Sequence, residues 1–134
     1  MTMGAPLEHE APEYDRAAAA TVIGRVLALP GGADLVTSSF AQIPGAVVTQ
    51  TRSGMFGPRV SSVQLGAWRY TPASACRVTV AHVVGNVVLS EDELPPAAAA
   101  QHLTAAIGQH IADFGSYIIP DVLSLLEGLS VASG

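Results

Sequence analysis

Cys76-Arg77-Val78-Thr79-Val80-Ala81-His82-Val83-Val84-Gly85-Asn86-Val87-Val88-Leu89 is the stretch that decides the fold. Valine stands at 78, 80, 83, 84, 87 and 88. β-Branched side chains are stiff and suit a pleated surface better than a helix. The run has fourteen residues, and at about 3.3 Å each it would span roughly 46 Å, beyond an ordinary strand. Gly85-Asn86 lies inside it, so a bulge, bend or tight turn is expected there. Both faces of the run are apolar, with Val78, Val80 and Val84 on one and Ala81, Val83 and Val87 on the other. A half-solvated strand would alternate apolar with polar. Helices are therefore expected on one face, and more helix or a second copy of the chain on part of the other.

Working backward, Ala46–Arg52 and Arg59–Tyr70 read as two more strands. Ser53–Pro58 loops between them, and Pro72 with its small neighbours turns after them. Short connections cannot make parallel crossovers, so the three strands form an antiparallel meander. Further back, Ala19, Val22, Ile23, Val26 and Leu27 recur at helical spacing within Glu13–Leu29, with Glu13 and Asp15 in the first turn and Pro30-Gly31-Gly32 as the stop. Residues 33–42 fit a short helix or a loop.

Working forward, Glu91-Asp92-Glu93 before Pro95 and Pro96 reads as an acidic, proline-marked helix start. Leu103, Ala106, Ile107, His110, Ile111 and Phe114 then form one stripe, and Gly115 ends it. Pro120 opens a second helix on Val122, Leu125, Leu126 and Leu129. The predicted fold is α+β: a small antiparallel sheet of about three strands, packed with one N-terminal and two C-terminal helices. Residues 1–12 read as a flexible tail, 13–129 as a single domain and 130–134 as a frayed end.

The chain has 134 residues, room for one core. Charged residues are 13% of it, against a usual share of about 25%, and 49% is hydrophobic. That excludes a disordered charged tail. All six positive side chains are Arg, and Ala, Gly and Pro are abundant, a bias matching a G+C-rich bacterial genome. Net charge is -5, which argues against nucleic-acid or anionic-membrane partners. No secretory signal is legible in the first residues, and polar side chains such as Gln101, His102 and Asp113 interrupt every long apolar run. The single cysteine, Cys76, cannot form an internal disulfide and suits a reducing cytoplasm. Mean hydropathy is +0.40, more apolar surface than the charge can cover, so self-association is expected.

Charge is partitioned. From Leu35 to Ser90 there is no Asp or Glu, but there are Arg52, Arg59, Arg69 and Arg77. All eleven carboxylates lie outside this segment, in the expected tail, helices and helix-leading turns. With a hairpin tip at Ala73, Arg69 falls opposite Arg77, Trp68 opposite Val78 and Gln64 opposite His82. Two neighbouring Arg repel unless an anion lies between them. Arg69, Arg77, Trp68, Tyr70 and His82 are thus the candidate ligand-binding residues. The competing account is that these Arg pair with helix or tail carboxylates, or simply face water. Met55 and Phe56, in the loop between the first two strands, are the candidate interface residues.

Chemistry is otherwise thin. His102 and His110 are eight residues apart, about 12 Å along a helix, too far to share a metal. No histidine pair has zinc spacing, and no metal or cofactor is expected. Pro30-Gly31-Gly32 follows a helix and the chain has no Lys, so no phosphate loop is present. His110 with Asp113 at i+3 and Cys76 beside Arg77 are the fragments an enzyme could use. Neither comes with a complete constellation. The leading expectation is a non-catalytic domain that assembles with itself, as a dimer, or with another protein. The alternatives are a domain that binds a small molecule, an anion among the candidates, in a pocket between sheet and helices and, third, an enzyme.

Overall fold

The computed structural model describes residues 13–52 and 59–133. The expected tail at 1–12 and the Met55–Phe56 tip lie outside the described residues. The described residues are α+β, with four helices and one antiparallel sheet. Helix α1 (Arg16–Leu27) and helix α2 (Gly32–Phe40) come first. Strands β1 (Val47–Arg52), β2 (Arg59–Leu65), β3 (Trp68–Pro72), β4 (Val78–Val84) and β5 (Val87–Leu94) follow. Helix α3 (Pro96–Phe114), a short 3-10 turn (Ser116–Ile118) and helix α4 (Ile119–Ser133) complete it. Helix α4 runs past the expected boundary at 129.

The sheet has five strands in the order β1-β2-β3-β4-β5, not about three. Two hairpins account for the difference. Gly66 adopts φ +60 and breaks the long second strand into β2 and β3. Gly85 and Asn86 both adopt positive φ, at 56 and 70, and close β4 onto β5. Two consecutive left-handed residues give the turn whose twist suits a two-residue hairpin. Strand β5 then continues through Glu91, Asp92 and Glu93. These three carboxylates therefore belong to the sheet, not to a helix-leading turn, and helix α3 starts only at Pro96.

Local chemistry explains the helix limits. Asp15 is the N-cap of α1, its Oδ1 accepting the Ala18 amide at 3.1 Å. Residues 33–42 resolve as α2, where Thr37 donates its hydroxyl to the Ala33 carbonyl at 2.8 Å and so stays satisfied while buried. Helix α2 packs on β2 and β3. Helix α3 reaches β2, β4 and β5, and α1 packs chiefly on α3 and α4. The two alanine runs allow α1 and α3 to approach closely: a Cβ added at Gly24 would stand 3.7 Å from that of Ala100.

The register sorts the sheet into two faces. Val63, Tyr70 and Val80 lie side by side on the helix-facing side and belong to the core with Leu27, Phe40, Leu103 and Ile107. Ser62, Thr71 and Thr79 alternate onto the other face, where Ser62 and Thr71 share a hydrogen bond of 2.6 Å. Ala81 and Val83 are buried there too, yet stand outside the main core cluster. The expected second apolar face is thus confined to these two residues of β4, while Val87 stands on β5.

Candidate functional site

The hairpin from β3 to β4 is longer than the tight turn at Ala73 that the sequence suggests. Ser74 accepts the Arg77 amide at 3.2 Å, closing a turn in which Ala75 and Cys76 both adopt left-handed φ. The register therefore shifts by four residues. Trp68 pairs with His82, not Val78. Arg69 pairs with Ala81, not Arg77, and Gln64 pairs with Arg69, not His82. At about 3.3 Å per residue, Arg77 stands roughly 13 Å along the strand from the position opposite Arg69. The Arg pair that suggested an anion is not formed.

The five candidate ligand residues divide. Trp68, Tyr70 and His82 share the helix-facing side. Arg69 points to the other face, and its buried Nε has no hydrogen-bond partner. Arg77 precedes β4 and faces Glu93, with Nε 3.7 Å from Oε1. Both side chains of that pair are about half exposed, so it contributes little.

A fourth ring, overlooked in the sequence, completes the helix-facing group. His102 projects from α3 onto Trp68, edge-on at 4.5 Å, and onto Tyr70 at 5.6 Å. His82 stacks on Trp68 at 4.5 Å with planes 22° apart. The Tyr70 hydroxyl lies 2.8 Å from His102 Nδ1 and 3.4 Å from its carbonyl. One proton arrangement satisfies both contacts: Nδ1–H donates to the hydroxyl, which donates to the carbonyl. Burial pushes the Tyr70 hydroxyl above its ordinary range and holds the His102 imidazole below its own. The legible signal was spacing: 102, 106, 109, 110 and 113 follow i, i+4, i+7, i+8, i+11, a second stripe beside the core stripe.

That stripe borders a cleft. The β2–β3 turn and Trp68 form one wall, and Ala106, Gln109, His110 and Asp113 form the other, around about 150 Å³ of space. His110 is buried, with Nε2 2.6 Å from the Pro44 carbonyl and its ring stacked on Phe114 at 4.4 Å. Asp113 accepts the Gln109 amide at 3.0 Å. Of the His110–Asp113 fragment, His110 Nε2 is thus bonded to Pro44 and Asp113 Oδ1 to Gln109. Cys76 lies near the Ala28 and Leu29 carbonyls, with Sγ at 3.8 and 3.9 Å.

Among the described residues, no group of three or more His, Cys, Asp or Glu is arranged to hold a metal ion. No helix among them is long and apolar enough to cross a membrane.

A family model described as "Domain of unknown function (DUF5073)" matches residues 11–131, and the chain belongs to that family. No curated protein and no solved structure matches it.

Proposed function

We propose that this member of the DUF5073 family acts by association with itself rather than by catalysis, through the outer edge of β5. The carrying observation is that, among the described residues, β5 is the last strand of the sheet and is exposed at every position from Val87 to Glu93. Val87 is 57% exposed, Val88 45%, Leu89 59% and, across the turn, Val84 52%. A bare apolar strand edge is a template for another strand.

The occupant we assign is a second copy of β5, running antiparallel about a two-fold axis at Val88. Backbone geometry supports this. In a two-residue hairpin the closing pair, Val84 and Val87, exchanges hydrogen bonds, and the next pair, Val83 and Val88, points its amides away. Val83 accordingly donates to Ala67, on the β3 side, at 2.7 Å. By the same alternation Val88 presents its N–H and C=O to the open edge, where its own copy can return both bonds.

Charge supports the same register. Centred on Val88, pairing can run only between positions 86 and 90, because each copy turns back at Gly85-Asn86, so Glu91, Asp92 and Glu93 of both copies lie beyond the paired segment. The two Glu91 are then six residues apart along the strand, roughly 20 Å at about 3.3 Å per residue, more than twice the Debye length of about 8 Å. A register centred on Asp92 would bring the six carboxylates together. The pair is isologous and closes as a dimer. We assign its setting to the reducing cytoplasm of a G+C-rich bacterium, on the Ala-, Gly-, Pro- and Arg-rich composition and the single cysteine.

Light scattering across a concentration series tests the reading. The wild-type chain is expected to dimerise, and Val88→Asp to remain monomeric with an unchanged circular dichroism spectrum. A wild-type chain that stays monomeric at several hundred micromolar overturns it.

A further inference from the structure

We propose that the cleft between the β2–β3 turn and α3 binds a small organic cation, an ammonium or guanidinium group. This is independent of association at β5. The anionic ligand that the sequence offers as an alternative rests on Arg69 and Arg77, and neither lines this cleft. Among the described residues, its one charged lining residue is Asp113, a carboxylate.

The polar groups on the α3 wall offer acceptors. A carbonyl oxygen only accepts, so the 2.6 Å contact with Pro44 requires the proton on His110 Nε2. With a single ring proton, placed there, Nδ1 is left as an acceptor. His110 is 4% exposed and lines the cleft, so this acceptor sits on a fixed, nearly buried side chain. The Gln109 amide nitrogen is bonded to Asp113 Oδ1 at 3.0 Å, which leaves the Gln109 carbonyl oxygen as a further acceptor. A carboxylate, an imidazole lone pair and an amide oxygen complement a group that carries positive charge and several N–H donors.

Size narrows the ligand. About 150 Å³ is the size of a cavity that takes a benzene-sized molecule. That holds methylguanidinium or the end of an alkylammonium, not a nucleotide or a sugar phosphate. Trp68 and Ala106 supply apolar wall for the carbon atoms. The net charge of -5 favours the encounter.

Trp68 is the only tryptophan, so its fluorescence reports directly on the cleft. Methylguanidinium and ethylammonium are titrated as chlorides, with sodium acetate as the anionic control and free N-acetyltryptophanamide as the collisional control. A Gly-Arg-Gly peptide separates a free metabolite from a side chain presented by a partner. The expected result is a saturable change at about 1–10 mM, a binding free energy near −3 to −4 kcal/mol, for at least one cation and not for acetate. Asp113→Asn is expected to weaken it at least tenfold, and Asp121→Asn, on α4, to leave it unchanged. The proposal is overturned by a linear response matching that of the free tryptophan analogue, by equal saturation with acetate, or by full retention in folded Asp113→Asn.

Discussion

The Tyr70 hydroxyl stands 2.8 Å from His102 Nδ1, joining the central strand of the sheet to the longest helix. Tyr70 is 1% exposed, while His102 is only half buried. Removing the hydroxyl therefore leaves the imidazole able to find water. Tyr70→Phe is expected to cost about 0.5–1.5 kcal/mol, the range for one hydrogen bond. Urea denaturation measures it. Combined with His102→Gln, the double variant should cost less than the sum of the singles, because the two changes remove the same bond.

Stability should fall on mild acidification, and His102 should carry part of the fall. Burial holds its folded pKa below the ordinary 6.5. The unfolded chain thus takes up a proton at a pH where the folded chain resists it. The contribution is fully present above about 6.5 and is lost as pH drops from there towards the lower folded value. Urea midpoints between pH 7.5 and 5 check this. The decline should be shallower in His102→Gln, and parallel slopes in the two proteins would refute the assignment.

Gly45 and Phe114 form a lock beside the His110–Pro44 bond. Gly45 has φ +87, and a Cβ added there would overlap the Cζ end of the Phe114 ring. Gly45→Ala combines overpacking with a left-handed alanine, about 2–4 kcal/mol in all. Gly45→Ala in a Phe114→Ala background removes the overlap but not the backbone cost. Its increment should shrink to about 1–2 kcal/mol, read from thermal or urea unfolding.

The Ala75–Cys76 turn holds two non-glycine residues at φ 58 and 61, a geometry that favours Asn-Gly. Ala75 is exposed, so its replacement disturbs no packing. Ala75→Asn is expected to stabilise the chain by about 0.5–1 kcal/mol by easing a left-handed alanine. A destabilisation in urea would show that the turn is held by something its backbone does not reveal.

The same turn explains what sequence could convey about this sheet. Val78–Val84 was legible as a strand and Gly85-Asn86 as its interruption, because β-branched runs and Asn at a turn act locally. Ala75 and Cys76 carry no such signal, and a few residues of loop moved every partner of β3. Gly66 sits inside an alternating run, so one strand was read where two fold back. Glu91-Asp92-Glu93 before two prolines has the composition of a helix start, yet pairing with Val80 and its neighbours holds it extended. Of the site, Trp68, Tyr70 and His82 were legible as strand residues, but grouped with Arg69 and Arg77, which the register separates from them. His102 was not, because its role depends on where α3 crosses the sheet.

The Val88 axis can be tested at the level of single residues. In a hydrogen-bonded antiparallel pair, opposed Cα atoms stand about 5.5 Å apart, inside the range a disulfide spans. With Cys76 replaced by Ala to remove the native thiol, Val88→Cys should crosslink to its own copy under mild oxidation. In the same register residue 90 lies opposite residue 86, so two copies of Ser90→Cys are about 13 Å apart at 3.3 Å per residue and should not crosslink. A register centred on Ser90 reverses the pair of results. Dimers that crosslink at neither position would retain self-association while rejecting β5 as its seat, since an edge built on Glu91 to Glu93 cannot pair with itself without opposing like charges.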